Sequence, residues 1–178
     1  MKIVREEPIL KTRIFTVADV HLEKKNGEPV THAVIRFVKT ISVLPVTKNG
    51  TLILERQFRS PVGGWIIEAP AGKIDPGESP EATMRRELEE EIGHRVVAAH
   101  EVFEGWVSCG YTDEYMYYFI ATVEPLPENE RTHFPDHDEE IETIEITLEE
   151  ALAMIERREI ADAKTIALIL AHAREQKR

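Results

Sequence analysis

Residues 72–93, GKIDPGESPEATMRRELEEEIG, constrain this chain more than any other stretch. Ser79 has the chemistry of a helix N-cap, Pro80 suits the first helical position, and Glu81 puts a negative charge at the positive end of the helix dipole. Gly93 can end the helix in a left-handed conformation. Between those limits Glu87, Glu90 and Glu91 stand at i, i+3 and i+4, so one helical face carries three carboxylates. Like charges at that spacing cost a helix about 0.2–0.5 kcal/mol per pair. Such a face either stays solvated or takes a cation, and hard ions such as Mg²⁺ are held by a few carboxylates together with substrate phosphates.

The spacing around the acids decides between these two readings. Gly72 is followed after five residues by Glu78, then after seven by Arg86-Glu87-Leu88, then by Glu90-Glu91 and Gly93. This pattern resembles the Nudix box, with each fixed polar and glycine position filled. One slot departs, since His94 stands where the family usually has an aliphatic residue. That slot is a packing position, and Val96 and Val97 can carry the strand that follows.

A length of 178 residues fits one domain, with or without an appendage, and 42% hydrophobic with 31% charged residues reads as soluble and globular. The net charge of -11 argues against non-specific binding to nucleic acid, which needs excess Lys and Arg. An anionic small molecule would therefore need a metal or local arginines. The one cysteine, Cys109, excludes an internal disulfide framework and zinc-type cysteine pairs. The N-terminus lacks an apolar signal region and no run approaches a membrane span, so cytoplasmic residence is the expectation.

Along the chain, residues 9–20 and 29–38 read as two β-rich runs joined by a turn at Lys24 to Glu28 that contains Asn26-Gly27. They are expected to form a β extension (residues 1–38) ahead of the main domain (39–178). Thr40 to Val46 and Thr51 to Phe58 make a hairpin across Asn49-Gly50, and further strands are expected at 65–69, 96–107, 115–123 and from Ile141. Residues 124–140 form a long polar loop. Thr147, opening a TLEE capping box, and Asp162 start two closing helices, with Leu152, Ile155, Ile166, Ile169 and Leu170 as their apolar stripes. These elements alone support an α+β or α/β domain. The resemblance implies an α/β/α sandwich on a mixed sheet.

The resemblance also implies an activity, hydrolysis of a pyrophosphate that links a nucleoside to another group. Carried onto this sequence, metal ligation falls to Glu87 and Glu91, with Glu90 beside them and the backbone carbonyl of Ala71. Mg²⁺, or Mn²⁺ in its place, would neutralise the pyrophosphate and lower the pKa of the attacking water. Arg86 would orient a box carboxylate, and Glu78 would position the turn. Residues 57–78, the loop SCGYTDE at 108–114 and EIADAKTIALI at 159–169 are similar to ADP-ribose pyrophosphatases and related nucleoside diphosphate sugar hydrolases. By that likeness Arg59 contacts phosphate, Glu68 lies near the terminal ribose and metal, and the 108–114 loop, with Gly110 and Glu114, closes over substrate.

The loop departs from the subfamily, whose Ser-Pro-Gly is here Ser108-Cys109-Gly110. Losing the proline frees a φ and restores an N–H, which bears on sugar preference. Cys109 itself reads as a small, half-buried residue rather than a reactive one. For the general base the resemblance points to Glu139, then Glu140. His137 is a further candidate, although a lone loop histidine is more often solvated. Phe15 and Trp65 are candidates to stack on the base, against the ordinary role of aromatics in packing. A homodimer through the N-terminal strands is implied as well. Two other functions stay open, a hydrolase that is broad or prefers GDP-mannose, and a non-catalytic domain that senses a nucleotide sugar. Sensors typically lose box acids, and this chain keeps them.

Overall fold

Two Asn-Gly turns and one threonine set the strand boundaries. The computed structural model describes residues 1–134 and 140–177, arranged as two compact units.

The first unit comprises residues 1–39 and 105–116. Strands β1 (Lys2–Lys11), β2 (Thr16–Glu23) and β3 (Pro29–Arg36) form an antiparallel sheet in the order β1-β2-β3. The second turn lies where expected, with Gly27 at φ 83° and Lys24 N–H donating to the Glu28 carbonyl at 2.9 Å. The run at 9–20 is not one strand. The chain reverses at Thr12, whose hydroxyl accepts from the N–H groups of Ile14 (3.1 Å) and Phe15 (2.9 Å). A hydroxyl that captures nearby N–H groups offers the backbone a turn instead of a ladder, and the apolar residues on both sides hid that alternative. Alternation along β2 buries Ala18 and Val20, whereas β1 is exposed along its whole length. The loop after Trp106 docks on β3 through Ile35 N–H to the Tyr111 carbonyl (2.7 Å) and Phe37 N–H to Asp113 Oδ1 (2.7 Å). Arg36 then links Asp113 (3.2 Å) to Glu6 (2.6 Å).

The second unit holds the remaining residues. Its elements are β4 (Thr40–Thr47), β5 (Leu52–Arg59), β6 (Gly64–Glu68), β7 (Ala71–Lys73), α1 (Pro80–Ile92), β8 (His94–Trp106), β9 (Tyr115–Pro125), β10 (Ile141–Ile146), α2 (Leu148–Glu156) and α3 (Ala163–Glu175), except that the end of β8 and the start of β9 belong to the first unit. The mixed sheet runs β10-β5-β4-β9-β8, with β6 on β5 and β7 on β4. Side chains alternate across a strand, so β4 serves both layers. Ile41 and Val43 join Ile53, Phe119, Ala121 and Val123 under Met84, Leu88 and Ile92 of α1. Leu44, of opposite parity, is equally buried, and α3 packs on β4 with Leu168 and Ile169 fully buried. Each such side chain contributes roughly 1.5–3 kcal/mol by leaving water. The result is the expected α/β/α sandwich. No helix among the described residues is long and apolar enough to cross a membrane.

Candidate active site

Helix α1 begins and ends as its sequence dictates. Ser79 Oγ accepts from Ala82 N–H at 3.2 Å, Pro80 is the first helical residue, and Gly93 closes the helix at φ 65°. Residues 84, 88 and 92 face the core, which turns Thr83 and Glu87 toward β7 and leaves Glu90 and Glu91 half-buried beside them. Glu87 is only 8% exposed. A Cβ on Gly72 would overlap its carboxylate, so the glycine is what lets an acid pack flat against the strand.

Arg86 is the hub that keeps these acids together. Its Nη1 donates to Glu87 Oε1 (2.9 Å) and Glu90 Oε2 (2.8 Å), and its Nη2 to Glu78 Oε2 (3.1 Å) and the Lys73 carbonyl (3.2 Å). Burial works against the Arg86 charge, but the hydrogen bonds to Glu78 and the fields of Glu87 and Glu90 outweigh it and hold its pKa above the ordinary value. Glu78 is held below the carboxylate range, first by Arg86 and then by Thr83, whose hydroxyl donates at 2.7 Å. Arg86 and Glu78 thus make one continuous brace between the β7 turn and the helix.

On the sheet, β5 and β6 bring a second set of charges together. Arg59 Nε donates to Glu68 Oε1 at 2.6 Å, Lys164 Nζ stands 3.5 Å from Glu68 Oε2, and Glu68 is 1% exposed. Register pairs Glu68 with Glu55, also buried, and Gln57 lies two residues further along the same face. Burial of Arg59 opposes its charge, yet the Glu68 hydrogen bond and the fields of Glu68, Glu91 and Glu55 raise its pKa. Glu91 of α1 thus contributes to the field that favours the charged form of Arg59.

Ala71, Arg59, Glu68, Arg86, Glu87, Glu90 and Glu91 all belong to the second unit. Glu90 is engaged by Arg86 rather than turned toward Glu91 alone. Glu140 is exposed and directly precedes β10, while Glu139 and His137 lie outside the described residues. Trp65 meets Phe58 edge-on at 6.0 Å, and the Arg56 guanidinium stands 4.5 Å above its ring. Phe15, Gly110 and Glu114 belong to the first unit. There Gly110 lines a cavity of about 720 Å³ with Arg36, Trp106, Cys109 and Asp113, whereas Phe15 closes the Thr12 turn. The sequence reading missed Glu55 and Gln57, for which the signal was present: polar residues at i and i+2 before Arg59, in a strand that opens on the apolar run Leu52-Ile53-Leu54.

The donor set of α1 and β7 suits a hard cation, since carboxylate and carbonyl oxygens are the ligands such ions prefer. Among the described residues no three acids, histidines or cysteines converge at ligating distance.

A family model for the NUDIX domain matches residues 36–169. The chain is 39% identical to the ADP-ribose pyrophosphatase of Bacillus subtilis (strain 168) over 93% of this chain and 91% of that protein. It is 31% identical to the methanol dehydrogenase activator of Bacillus methanolicus, covering 94% and 90%. The GDP-mannose pyrophosphatase of Yersinia pestis (strain Pestoides F) is 38% identical over 68% of this chain and 64% of that protein. A solved structure of an ADP compounds hydrolase shares the fold, with a TM-score of 0.86 at 22% identity over 99% of this chain and 94% of that one.

Proposed function

The chain belongs to the Nudix family, and we propose that it hydrolyses nucleoside diphosphate sugars with Mg²⁺, taking ADP-ribose to AMP and ribose 5-phosphate. The observation that carries this reading is the geometry of the α1 acids, held over Gly72 by Arg86, with the buried Arg59–Glu68 pair of β5 and β6 in the same unit. The similarity to an ADP-ribose pyrophosphatase over most of both chains supports the substrate.

Each residue has a stated task in this reading. Glu87, Glu91 and the Ala71 carbonyl hold the cation, with Glu90 in reserve through Arg86. When bound, the cation neutralises phosphate oxygens and makes water a better nucleophile at neutral pH. Arg59 offers its remaining N–H donors to phosphate, and Glu68 fixes the plane of that guanidinium. Glu139 or Glu140 takes the proton of the attacking water. Trp65 stacks on the base.

Residues 1–38 serve in this proposal as a dimerisation extension. Supporting it, β1 is an edge strand that leaves Ile3, Val4, Ile9 and Leu10 more than half exposed, and an uncovered apolar edge is a pairing site. Sedimentation of wild type and of Ile9→Lys with Leu10→Lys tests it, a dimer turning into a monomer being the expected result.

The activity itself is tested by phosphate release, with a coupled phosphatase, from ADP-ribose, GDP-mannose, ADP-glucose, UDP-glucose, NADH and a deoxynucleoside triphosphate. A kcat/KM highest for ADP-ribose supports the reading, and one highest for GDP-mannose replaces the preferred substrate. No turnover with Mg²⁺ or Mn²⁺, together with a Tm raised by ADP-ribose, would make the protein a sensor.

A further inference from the structure

The last turn of α1 is chemically the wrong place for the residues it carries. A helix C-terminus bears partial negative charge and free carbonyls, and cations belong there. Here Glu89, Glu90 and Glu91 follow one another, and the turn contains no basic residue. By contrast α3 closes with His172 and Arg174. Left to itself the end of α1 would fray, and with it the carboxylates of Glu90 and Glu91.

The missing cation comes from 40 residues further along the chain. Arg131 Nη2 donates to the carbonyls of Glu89 (2.8 Å) and Glu90 (3.0 Å), so the Glu89 carbonyl, which already accepts from Gly93 N–H at 3.1 Å, gains a charged second donor and one guanidinium nitrogen ties two successive carbonyls of the last turn together. The exchange runs in the other direction as well. Glu89, whose side chain points away from the box acids, accepts at Oε1 from the N–H and hydroxyl of Thr132 and from the N–H of His133 (2.9 Å). Leu126 N–H donates to the Gly93 carbonyl at 2.9 Å, and the Phe134 ring lies 4.9 Å from the Arg131 guanidinium carbon. A Cβ on Gly93 would stand 3.1 Å from Arg131 Nη1, so this glycine both takes φ 65° and gives the arginine room to reach the carbonyls.

We propose that Arg131 is a positioning residue for the acidic site: a C-cap supplied from outside the helix by the 126–134 segment of the same chain, locked in place by Glu89, that fixes the turn carrying Glu90 and Glu91. Glu89 fills a variable slot of the box, and this clasp gives it a task that the motif does not describe. The catalytic consequence rests on the reading of Glu91 as a cation ligand, whereas the capping itself does not.

The test is hydrogen exchange and cation dependence in the full-length protein, comparing wild type with Arg131→Met, which keeps the stem, and Arg131→Lys, which keeps the charge. Arg131→Met is expected to speed amide exchange in the peptide covering residues 89–93 by about tenfold or more, with peptides from β4 and β5 unchanged. It is also expected to raise the Mg²⁺ concentration for half-maximal turnover by about tenfold, with the KM for ADP-ribose at saturating Mg²⁺ changed less than twofold. Arg131→Lys restores part of both. Unchanged exchange at 89–93 overturns the capping. Faster exchange with an unchanged Mg²⁺ dependence overturns its link to the acids. If wild type turns over no substrate, the functional reading fails and the exchange measurement still decides the cap.

Discussion

The carboxylate of Glu87 lies in the space that a Cβ on Gly72 would fill. Two fixed points of the box, 15 residues apart in sequence, are therefore one contact in space. Flexibility at Gly72 is not the reason for a glycine there, since its φ is not positive; close approach is.

Gly72→Ala should therefore act on activity more than on folding. The new methyl group pushes the Glu87 carboxylate off β7, at roughly 1–3 kcal/mol of overpacking. Moving a cation ligand by an ångström costs far more in turnover, and a loss of about 100-fold or more in kcat is expected. Steady-state kinetics beside a urea midpoint separate the two effects. Wild-type kcat in this variant would remove Glu87 from the site.

Arg86→Ala should destabilise the protein although the side chain is not part of the apolar core. It leaves Glu78, Glu87 and Glu90 facing one another without a cation, and the Lys73 carbonyl without one donor. Breaking a buried ion network costs about 3–5 kcal/mol, and the 19% exposure of this side chain lowers that to roughly 2–3. Chemical denaturation measures it. Added Glu90→Gln should recover part of the loss, because one of the stranded charges is removed.

How much of this was legible beforehand follows from how local each signal is. Ser79, Pro80 and Gly93 fix α1 within one turn of themselves, and the Asn-Gly turns fix their hairpins in the same way. Arg86 and Glu87 were readable because the motif spacing puts them on one helix. The Thr12 turn was not readable, since a hydroxyl inside an apolar run gives no periodic signal. Arg131 was hidden for a different reason: its partners are backbone carbonyls 41 and 42 residues away, and carbonyls have no side-chain identity to recognise. Glu55 and Gln57 show a third case, where the residues were in plain view but only the strand register aligns Glu55 with Glu68.

Arg59→Lys keeps the charge and loses the fork. Arg59 uses Nε on Glu68 and has its Nη groups left for an oxyanion, a division of labour that an ammonium cannot copy. A rise of about tenfold in KM for ADP-ribose is expected with a smaller change in kcat. A larger fall in kcat than in substrate affinity would instead make Arg59 a residue of the chemical step.

Glu89→Gln should flatten the acid limb of stability. Partial burial works against the Glu89 charge, but hydrogen bonds from Thr132 and His133 outweigh it and bring its pKa to about 2. Because the folded pKa lies below the unfolded one, the unfolded state binds more protons, and stability rises with pH. The contribution is complete above the ordinary carboxylate range and is lost as pH falls toward about 2. Glu78, lowered in the same direction, adds to the same window. Urea midpoints between pH 5 and pH 2, on the order of the range in which carboxylates titrate, should fall less steeply for the variant than for wild type. Equal slopes would mean that the Thr132 and His133 hydrogen bonds do not hold in solution.

Glu91→Gln separates the acid face as a structural feature from the acid face as a ligand. The substitution is isosteric and removes one of three like charges at helical spacing, so folding should be intact and the Tm equal or slightly raised. If the carboxylate holds a cation, an amide at the same place is a weaker, neutral ligand, and turnover with Mg²⁺ should fall by about 1000-fold or more. Loss of kcat with a steady or lower KM is the signature of a ligand to the reacting centre. A kcat near wild type would remove Glu91 from the reacting centre, and the catalytic carboxylates would then have to be sought among its neighbours and on β5 and β6.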